Sequence, residues 1–378
     1  MRLSKLVRIT PETIESISTK DGRFCVPDRI KDSVESCLAN DDENAITREY
    51  QRLLNEFQTY EESIAPASID YSRELTLDAY TAYYLSRYLS IPSIALRDLA
   101  IHPSFQSVPD SISVLDMGSG TGAIVLGLLS LFNTRPLSKV RVNITALDCC
   151  TKALDRQKRL IKKAGFDSGQ VHHYDEDLCD LESCMKVVTK EDPYYLIFLA
   201  NCLTELKANV TIDLVKRLPS ILSGNGAIII AEAQRNYTKA LIRTLAASAE
   251  SLGLNVYYPC PTTGCPYSPY CWVWRDHEYT FPSIKVGGQP LQQRAKEKFP
   301  LTWLILTRKK VSIYDTFASE RPDLSWGPIS KETGTERAAC YGGRSLEFEM
   351  DDDISSSYKR GSIVGLSSGQ KVKRYYQM

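Results

Sequence analysis

The sequence predicts an open, mostly parallel α/β sheet with helices on both faces, and three observations support this fold class. Apolar, strand-like runs alternate with helical runs from about residue 113 onward. Glycines close the helical runs, at Gly165, Gly224 and Gly253. The first strand-like run enters a glycine-rich turn that opens a helix. A β-α-β-α order of this kind is typical of parallel sheets with right-handed crossover helices.

The elements follow from apolar periodicity. The predicted strands are 113–115, 142–147, 194–200, 226–231 and 300–307. The predicted helices between them are 123–132, 151–164, 210–222 and 238–252. Before this region, residues 48–57 and 79–88 have helical spacing, and after it the short runs 338–348 and 361–365 are strand-like.

A chain of this length has room for about two or three domains, and changes in the sequence pattern mark three regions. We predict a helical N-terminal region over 1–110, a sheet domain over 111–318 with a cysteine-rich insertion at 258–282, and a small β-rich region over 319–378. Hydrophobic residues make up 43% of the 378 residues and charged residues 24%, which is typical of a soluble globular protein. A formal net charge of zero gives no global signature of nucleic-acid binding.

Eleven cysteines are many for this length, and they bear on the compartment. No secretory signal is visible, and no apolar run approaches the roughly 20 residues of a membrane span. We therefore expect a reducing compartment with free or ligating thiols and no membrane association. We expect a cytoplasmic location. The mitochondrial matrix is the alternative, because the basic residues Arg2, Lys5 and Arg8 are compatible with a mitochondrial transit peptide.

The turn after the first predicted strand is the main candidate for ligand binding. Gly118, Gly120 and Gly122 allow a sharp turn and a close approach of backbone to ligand, and the next helix directs its positive end there. Asp116 precedes the glycines, and Asp148 closes the next strand, where a carboxylate can accept two ribose hydroxyls. This order resembles the S-adenosylmethionine-dependent methyltransferases more than the nucleotide dehydrogenases, so we predict a Rossmann-like methyltransferase sheet.

Two further segments complete the predicted cofactor site. Asp175 or Asp177 would flank an adenine pocket, with Asp177 preferred, although both carboxylates also suit a solvated loop. Asn201 begins a segment at the end of a strand, where amino-methylating enzymes often carry an Asn/Asp-Pro-Pro-aromatic tetrad. This chain has none, which argues against ordinary base N-methylation and leaves the catalytic residues unassigned.

A run with the spacing C-x4-C-x5-C holds Cys260, Cys265 and Cys271 among prolines and a glycine that exclude regular structure. Such a loop needs an organising centre if it is ordered, and a metal or an iron–sulfur cluster would supply one. The spacing is looser than that of a zinc ribbon, so incidental cysteines are an equal alternative at this point.

Four segments together resemble one family, the methyltransferase-like proteins associated with assembly of the small ribosomal subunit in mitochondria, with bacterial and archaeal relatives. These segments are Tyr80 to Pro92, Leu115 to Gly122, Asn201 to Leu206, and the Cys-Pro…Cys-Pro…Cys run. The resemblance covers roughly residues 70–345, and the pairing of the last two segments is the specific part.

The resemblance implies a four-iron, four-sulfur cluster on Cys260, Cys265, Cys271 and Cys340, with zinc on the same thiolates as the alternative. It also implies binding to small-subunit rRNA during ribosome assembly and translation, and a ribosome-associated location. An active rRNA or protein methyltransferase with a structural zinc is the competing hypothesis. A radical S-adenosylmethionine enzyme is a third, but its C-x3-C-x2-C spacing is not present.

Contacts with rRNA would need local basic surfaces, because the net charge is zero. One candidate is the predicted helix that carries Lys152, Arg156, Lys158, Arg159, Lys162 and Lys163. A second surrounds the last predicted strand and carries Arg294, Lys296, Lys298, Arg308, Lys309 and Lys310. Both basic segments are also consistent with ordinary solvent-exposed surfaces that bind no RNA.

Overall fold

A ten-stranded sheet forms the centre of the protein. The computed structural model describes residues 6–20, 23–59, 69–233, 236–259, 274–280, 282–291, 298–333, 336–341, 344–349, 363–366 and 372–376. In the described part of the chain, no helix combines the length and the apolar character that a membrane span requires.

The helices and strands have the following bounds. The helices are α1 (Pro11–Ser18), α2 (Asp28–Cys37), α3 (Glu43–Thr59), α4 (Glu74–Ala79), α5 (Ser86–Tyr88), α6 (Ile91–Ile101), α7 (Ala123–Phe132), α8 (Thr151–Lys163), α9 (Leu181–Val188), α10 (Ala208–Arg217), α11 (Asn236–Ser248) and α12 (Ile313–Glu320). The strands are β1 (Leu6–Arg8), β2 (Thr19–Lys20), β3 (Arg23–Cys25), β4 (Ser107–Pro109), β5 (Ser111–Met117), β6 (Arg141–Asp148), β7 (Val171–Asp175), β8 (Tyr194–Ala200), β9 (Leu222–Ala233), β10 (Asn255–Tyr258), β11 (Trp274–Thr280), β12 (Lys285–Val286), β13 (Gln289–Pro290), β14 (Lys298–Thr307), β15 (Ser325–Thr333), β16 (Glu336–Tyr341), β17 (Arg344–Glu349), β18 (Ile363–Leu366) and β19 (Val372–Tyr376).

Five parallel strands run in the order β7-β6-β5-β8-β9, and β14 lies antiparallel beside β9. Both β10 and β11 pair with β14, and the β2–β3 hairpin extends the sheet beyond β11. From β5 the chain continues outward to β6, whereas from β8 it continues outward to β9 in the opposite direction. The strand order therefore reverses between β5 and β8. Ligands of open α/β sheets bind at this switch point, outside the carboxyl ends of the strands.

Alternate residues of each central strand supply two separate apolar cores. Val114, Ile144 and Phe198 belong to the core that contains α7 and α8 residues and the N-terminal helices. Leu115 and Ile197 belong to the core that contains residues of α9, α10 and α11. Burial of both faces explains why β8 reads as a continuous apolar run. The prediction of a Rossmann-like α/β sheet is therefore confirmed.

Several element predictions differ from the structure. The N-terminal region, predicted as helical, also contains β1 to β4, because β3 pairs with the distant β11 and local sequence cannot show that pairing. Strand β7 was not among the predicted strands because its residues are polar and half exposed at a sheet edge. Helix α10 ends before Pro219, and Gly224 lies inside β9 instead of closing the helix.

The described strands near the C-terminus form a five-stranded antiparallel sheet in the order β17-β16-β15-β18-β19. Its contact with the rest of the protein includes the ring of Trp326, which stacks on Phe317 of α12 at 5.1 Å between ring centroids. The Trp326 indole nitrogen also donates to the Arg321 carbonyl.

A buried ion pair joins the N-terminal helices to the sheet domain. The guanidinium of Arg156, on α8, donates to Asp78 Oδ1 at 2.6 Å, and both side chains are fully buried. The same Asp78 carboxylate accepts the backbone amides of Ala39 and Asn40 at 2.9–3.2 Å. The inclusion of Arg156 in an RNA-binding face is therefore wrong, since its charge points into the protein.

Replacement of Arg156 by Met should lower the free energy of unfolding by about 3–5 kcal/mol, because it leaves the Asp78 carboxylate buried without its counter-charge. Urea denaturation followed by circular dichroism measures this. The matched control is Lys158→Met on the same helix, which breaks an exposed pair with Asp155 and should change stability by less than about 1 kcal/mol. Similar losses for the two variants would contradict the role of the buried pair.

Candidate functional site

The loop between β5 and α7 folds back onto the end of β6. The backbone amides of Gly118 and Ser119 both donate to the Leu147 carbonyl at 2.9 Å. Gly118 has a φ of +71°, and a Cβ atom built on it would lie 2.4 Å from Cys202 Cβ. Glycine is therefore needed here for both backbone conformation and space. At Gly120, also left-handed at φ +51°, an added Cβ would meet no atom within 4 Å, so open space lies directly beside the loop.

Asp148 sits at the end of β6 beside that open space. Its Oδ2 accepts the Gly120 amide at 2.7 Å, and its Oδ1 accepts the Cys150 amide at 2.8 Å. Partial burial raises the pKa of Asp148, and these two amide donors oppose the rise by favouring the ionised form. The two amides thus fix the carboxylate in one orientation at the end of β6, and its predicted role as a ribose-binding acid stays a prediction.

Asp116 has a different position, beneath the loop. Its carboxylate is almost fully buried and accepts the Ser119 hydroxyl at 2.5 Å. The buried Gln157 side chain donates to the same hydroxyl at 2.8 Å. Burial raises the pKa of Asp116 to about 7. In these contacts Asp116 and Gln157 hold the shape of the loop.

Asn201 follows β8 on the other side of the switch point, with a left-handed φ of +55° that is uncommon for a residue with a side chain. Its side-chain oxygen accepts the Ala233 amide at 3.1 Å. Its buried Nδ2 has no hydrogen-bond partner within the described residues. The adjoining turn is fixed by Glu232, whose Oε1 accepts the amides of Cys202 and Leu203 at 3.0 and 2.9 Å.

A hydrogen bond from the N-terminal region reaches this turn. The Tyr71 hydroxyl donates to Glu205 Oε1 at 2.8 Å, across 134 residues of sequence. The Tyr71 carbonyl meanwhile accepts from the Cys150 thiol, and the Lys152 ammonium donates to the Ser72 carbonyl. Residues 71–72 therefore contact both the β6 side and the β8 side of the switch point. Burial raises the pKa of Glu205 to about 7, and the Asp148 charge adds to this rise.

The remaining predicted site residues are placed as follows. Asp177 is exposed in the loop after β7, where its Oδ1 accepts the Cys179 amide, and Asp175 accepts the Thr151 hydroxyl. Leu178, next to Asp177, approaches the loop at Gly118. The carboxyl ends of β5, β6, β7 and β8 thus bring all the predicted cofactor residues to one edge of the sheet.

The tyrosines of residues 79–88, before the sheet domain, lie mainly in the core. Tyr83 and Tyr84 are buried, and Arg87 is buried with its guanidinium bonded to the Tyr50 hydroxyl. Tyr80 is half-buried, and its ring contacts the Tyr71 ring edge-on at 5.5 Å between centroids. The buried members pack in the core and cannot form an RNA-contacting surface, while Tyr80 lies near the candidate site.

The predicted metal ligands fall mostly outside the described residues. Cys260, Cys265 and Cys271 are among the residues that the structure does not describe, and Cys340 lies in β16 opposite Ser345 of β17. Within the described ranges, no group of three or more Cys, His, Asp or Glu side chains is arranged to hold a metal ion.

Sequence reasoning missed the roles of Tyr71, Glu205 and Glu232. Glu205 belongs to the segment that carried the family resemblance, so its position at the end of a strand was a usable signal. Tyr71 and Glu232 gave no signal, because their contacts depend on tertiary proximity.

Comparison with protein-family models finds no match, and comparison with curated proteins finds none either. Several solved structures are similar to the chain. Precorrin-6y C5,15-methyltransferase from Geobacter metallireducens GS-15 is 14% identical over 58% of this chain and 88% of its own, with a TM-score of 0.36. An O-methyltransferase family protein from Burkholderia thailandensis is 13% identical over 71% of this chain and 72% of its own, with a TM-score of 0.42. Magnesium protoporphyrin IX methyltransferase from Synechocystis PCC 6803, with bound SAM, is 11% identical over 69% of this chain and 97% of its own, with a TM-score of 0.36.

Replacement of Gly118 by Ala should lower the free energy of unfolding by about 2–4 kcal/mol, from left-handed strain and displacement of Cys202. Gly120→Ala is the matched control, since it carries the strain alone and should cost about 1–2 kcal/mol. Thermal and chemical denaturation of the two variants measure the difference. Equal losses would show that close packing between Gly118 and Cys202 is not a constraint.

Proposed function

We propose that the protein binds S-adenosylmethionine at the switch point and is a methyltransferase-like protein that acts on or binds small-subunit rRNA during ribosome assembly. The observation that carries this proposal is the fixed carboxylate of Asp148 beside the open space at Gly120. A carboxylate offers about four acceptor positions, and backbone amides occupy two of them. The remaining two suit the pair of hydroxyls on a ribose.

The charge of the site favours a cationic nucleoside over a dinucleotide. Asp148 and Glu205 lie at the site, and no ion pair among the described residues includes either carboxyl group. A sulfonium would favour their ionised forms, whereas a pyrophosphate would be repelled by them.

Four amides of the glycine loop are already bonded within the protein, so they are not available to a phosphate. The Gly118 and Ser119 amides donate to the Leu147 carbonyl, and the Gly120 amide donates to the Asp148 carboxylate. The Gly122 amide donates to the Ser119 carbonyl. This arrangement supports a nucleoside without phosphates, such as S-adenosylmethionine, over the nicotinamide dinucleotide alternative.

Binding to rRNA is supported by the exposed basic residues of α8, where phosphate contacts would fix position without sequence choice. These exposed residues are Lys152, Lys158, Arg159, Lys162 and Lys163. The orphan Nδ2 donor of Asn201 gives the site a polar group for the donor or the methyl acceptor in place of the absent tetrad.

We further propose that Cys260, Cys265, Cys271 and Cys340 hold a four-iron, four-sulfur cluster with a structural role. The support is the sequence resemblance and the chemistry of four thiolates, which complete the iron ligation of such a cluster. Zinc bound by the same four thiolates is the alternative.

The Asp148→Ala variant should bind S-adenosylmethionine more weakly by roughly 1–3 kcal/mol, or about 5- to 150-fold, because two ribose hydroxyls lose their acceptor. Isothermal titration calorimetry measures this loss, and Asp148→Asn tests whether the charge or the shape matters. The control is Asp213→Ala, at an exposed carboxylate on α10. Unchanged affinity in a folded Asp148→Ala protein would reject the proposed ribose contact.

Protein purified without oxygen should be brown and contain about four iron atoms per chain if the cluster is present. The Cys265→Ser variant should lose the metal and melt at a lower temperature, because metal binding is coupled to folding. Cys179→Ser, at an exposed free cysteine, is the control and should retain both. A colourless protein with stoichiometric zinc would replace the cluster with the zinc alternative.

A further inference from the structure

Glu205 is a half-buried carboxyl group near the switch point, and its surroundings suit a proton acceptor. It ends the 3-10 turn Leu203–Glu205, and the Glu232 carboxylate fixes the backbone of that turn through two amides. The Tyr71 hydroxyl donates a hydrogen bond to Glu205 Oε1 at 2.8 Å. Glu205 Oε2 has no hydrogen-bond partner among the residues that the structure describes. One oxygen is thus oriented, and the other is left for a ligand.

Other ionisable groups near Glu205 are less suited to accept a proton. Burial raises the pKa values of Tyr71 and Cys202 well above their ordinary values, so both remain neutral donors. Both oxygens of Asp148 accept backbone amides, and Asp116 is covered by the loop. The titratable groups that face Glu205 come from three directions. They are Tyr71 and Tyr80 from the N-terminal region, Asp148 and Cys149 from the end of β6, and Cys202 from the end of β8.

We propose that Glu205 is the proton acceptor of a methyl transfer, positioned by the Tyr71 hydroxyl, and that the methyl acceptors are groups with a dissociable O–H or N–H proton. This inference rests on the proposed binding of S-adenosylmethionine. That donor, when bound, supplies a methyl group on a positively charged sulfur. The acceptor lone pair forms the new bond to the methyl carbon, and the carbon–sulfur bond breaks with its electron pair on sulfur. The acceptor proton passes to Glu205 Oε2, and the sulfur product is neutral.

The charge of the donor should prepare Glu205 for this role. In the free protein, burial raises the Glu205 pKa to about 7, so the carboxyl is partly protonated near pH 6.5. A nearby positive charge favours the ionised form and lowers that pKa. Donor binding should therefore release a proton near pH 6.5, and it should tighten as the pH rises through about 7. S-adenosylhomocysteine, which lacks the sulfonium charge, should release much less.

Calorimetric titration of the full chain in buffers of different ionisation enthalpy tests this proton release. We expect S-adenosylmethionine to release a substantial part of a proton at pH 6.5 and almost none at pH 8.5. Glu205→Gln should abolish most of the release and change the dissociation constant at pH 8.5 by less than about tenfold. Tyr71→Phe should move the release to higher pH, because its hydroxyl favours the ionised carboxylate. The control is Glu250→Gln, at an exposed site.

Transfer of a labelled methyl group to an unmodified small-subunit rRNA transcript tests the proton-accepting role itself. We expect Glu205→Gln to slow transfer by about 10²- to 10⁴-fold and to flatten its rise between pH 6 and 8. The inference would be overturned if the Glu205→Gln variant released the same fraction of a proton as the wild-type protein, or if it transferred methyl groups at the wild-type rate. Donor binding without any transfer from wild-type protein would also overturn it and leave the binding function intact. A wild-type protein that does not bind the donor would instead overturn the proposed function.

Discussion

The carboxylate of Asp148 is the fixed point on which the site depends. Backbone amides on two loops, at Gly120 and Cys150, donate to its two oxygens, so one side chain sets both the glycine loop and the start of α8. The parallel sheet makes this possible, because β5 and β6 end at the same edge and bring residues 28 positions apart within 2.7 Å. The amides that fix the carboxylate are thereby withdrawn from phosphate binding. This local arrangement supports the proposed binding of a nucleoside over that of a dinucleotide.

The N-terminal helices matter to the site because of two polar contacts with the sheet domain. The buried pair of Arg156 and Asp78 holds α8 against the N-terminal layer, in a place where either charge alone would be costly. The second contact is the hydrogen bond from Tyr71 to Glu205, which holds the segment before α4 near the switch point. The N-terminal region therefore contributes to the candidate site and also covers one face of the sheet.

Much of the sheet domain could be predicted from sequence, since buried parallel strands and their helices give strong apolar periodicity, as at β8 and α7. The positions of Asp148 and Gly118 after strand ends could also be predicted, while the ribose-binding role of Asp148 stays a prediction. Other features could not be predicted, because they arise from contacts between distant segments. Tyr71 reaches Glu205 only through the tertiary fold, and Arg156 looks like any other exposed base in a basic helix. The polar edge strand β7 lacked an apolar pattern altogether.

The central claim is that the switch point accepts a cationic nucleoside. It is tested most directly by titrating the wild-type protein with S-adenosylmethionine and with NAD⁺ under the same conditions at pH 8 and moderate salt. The account predicts saturable one-to-one binding of S-adenosylmethionine and no measurable binding of NAD⁺, since four loop amides are already bonded and the carboxyl groups of Asp148 and Glu205 lie at the site. Binding of NAD⁺ without binding of S-adenosylmethionine would contradict it.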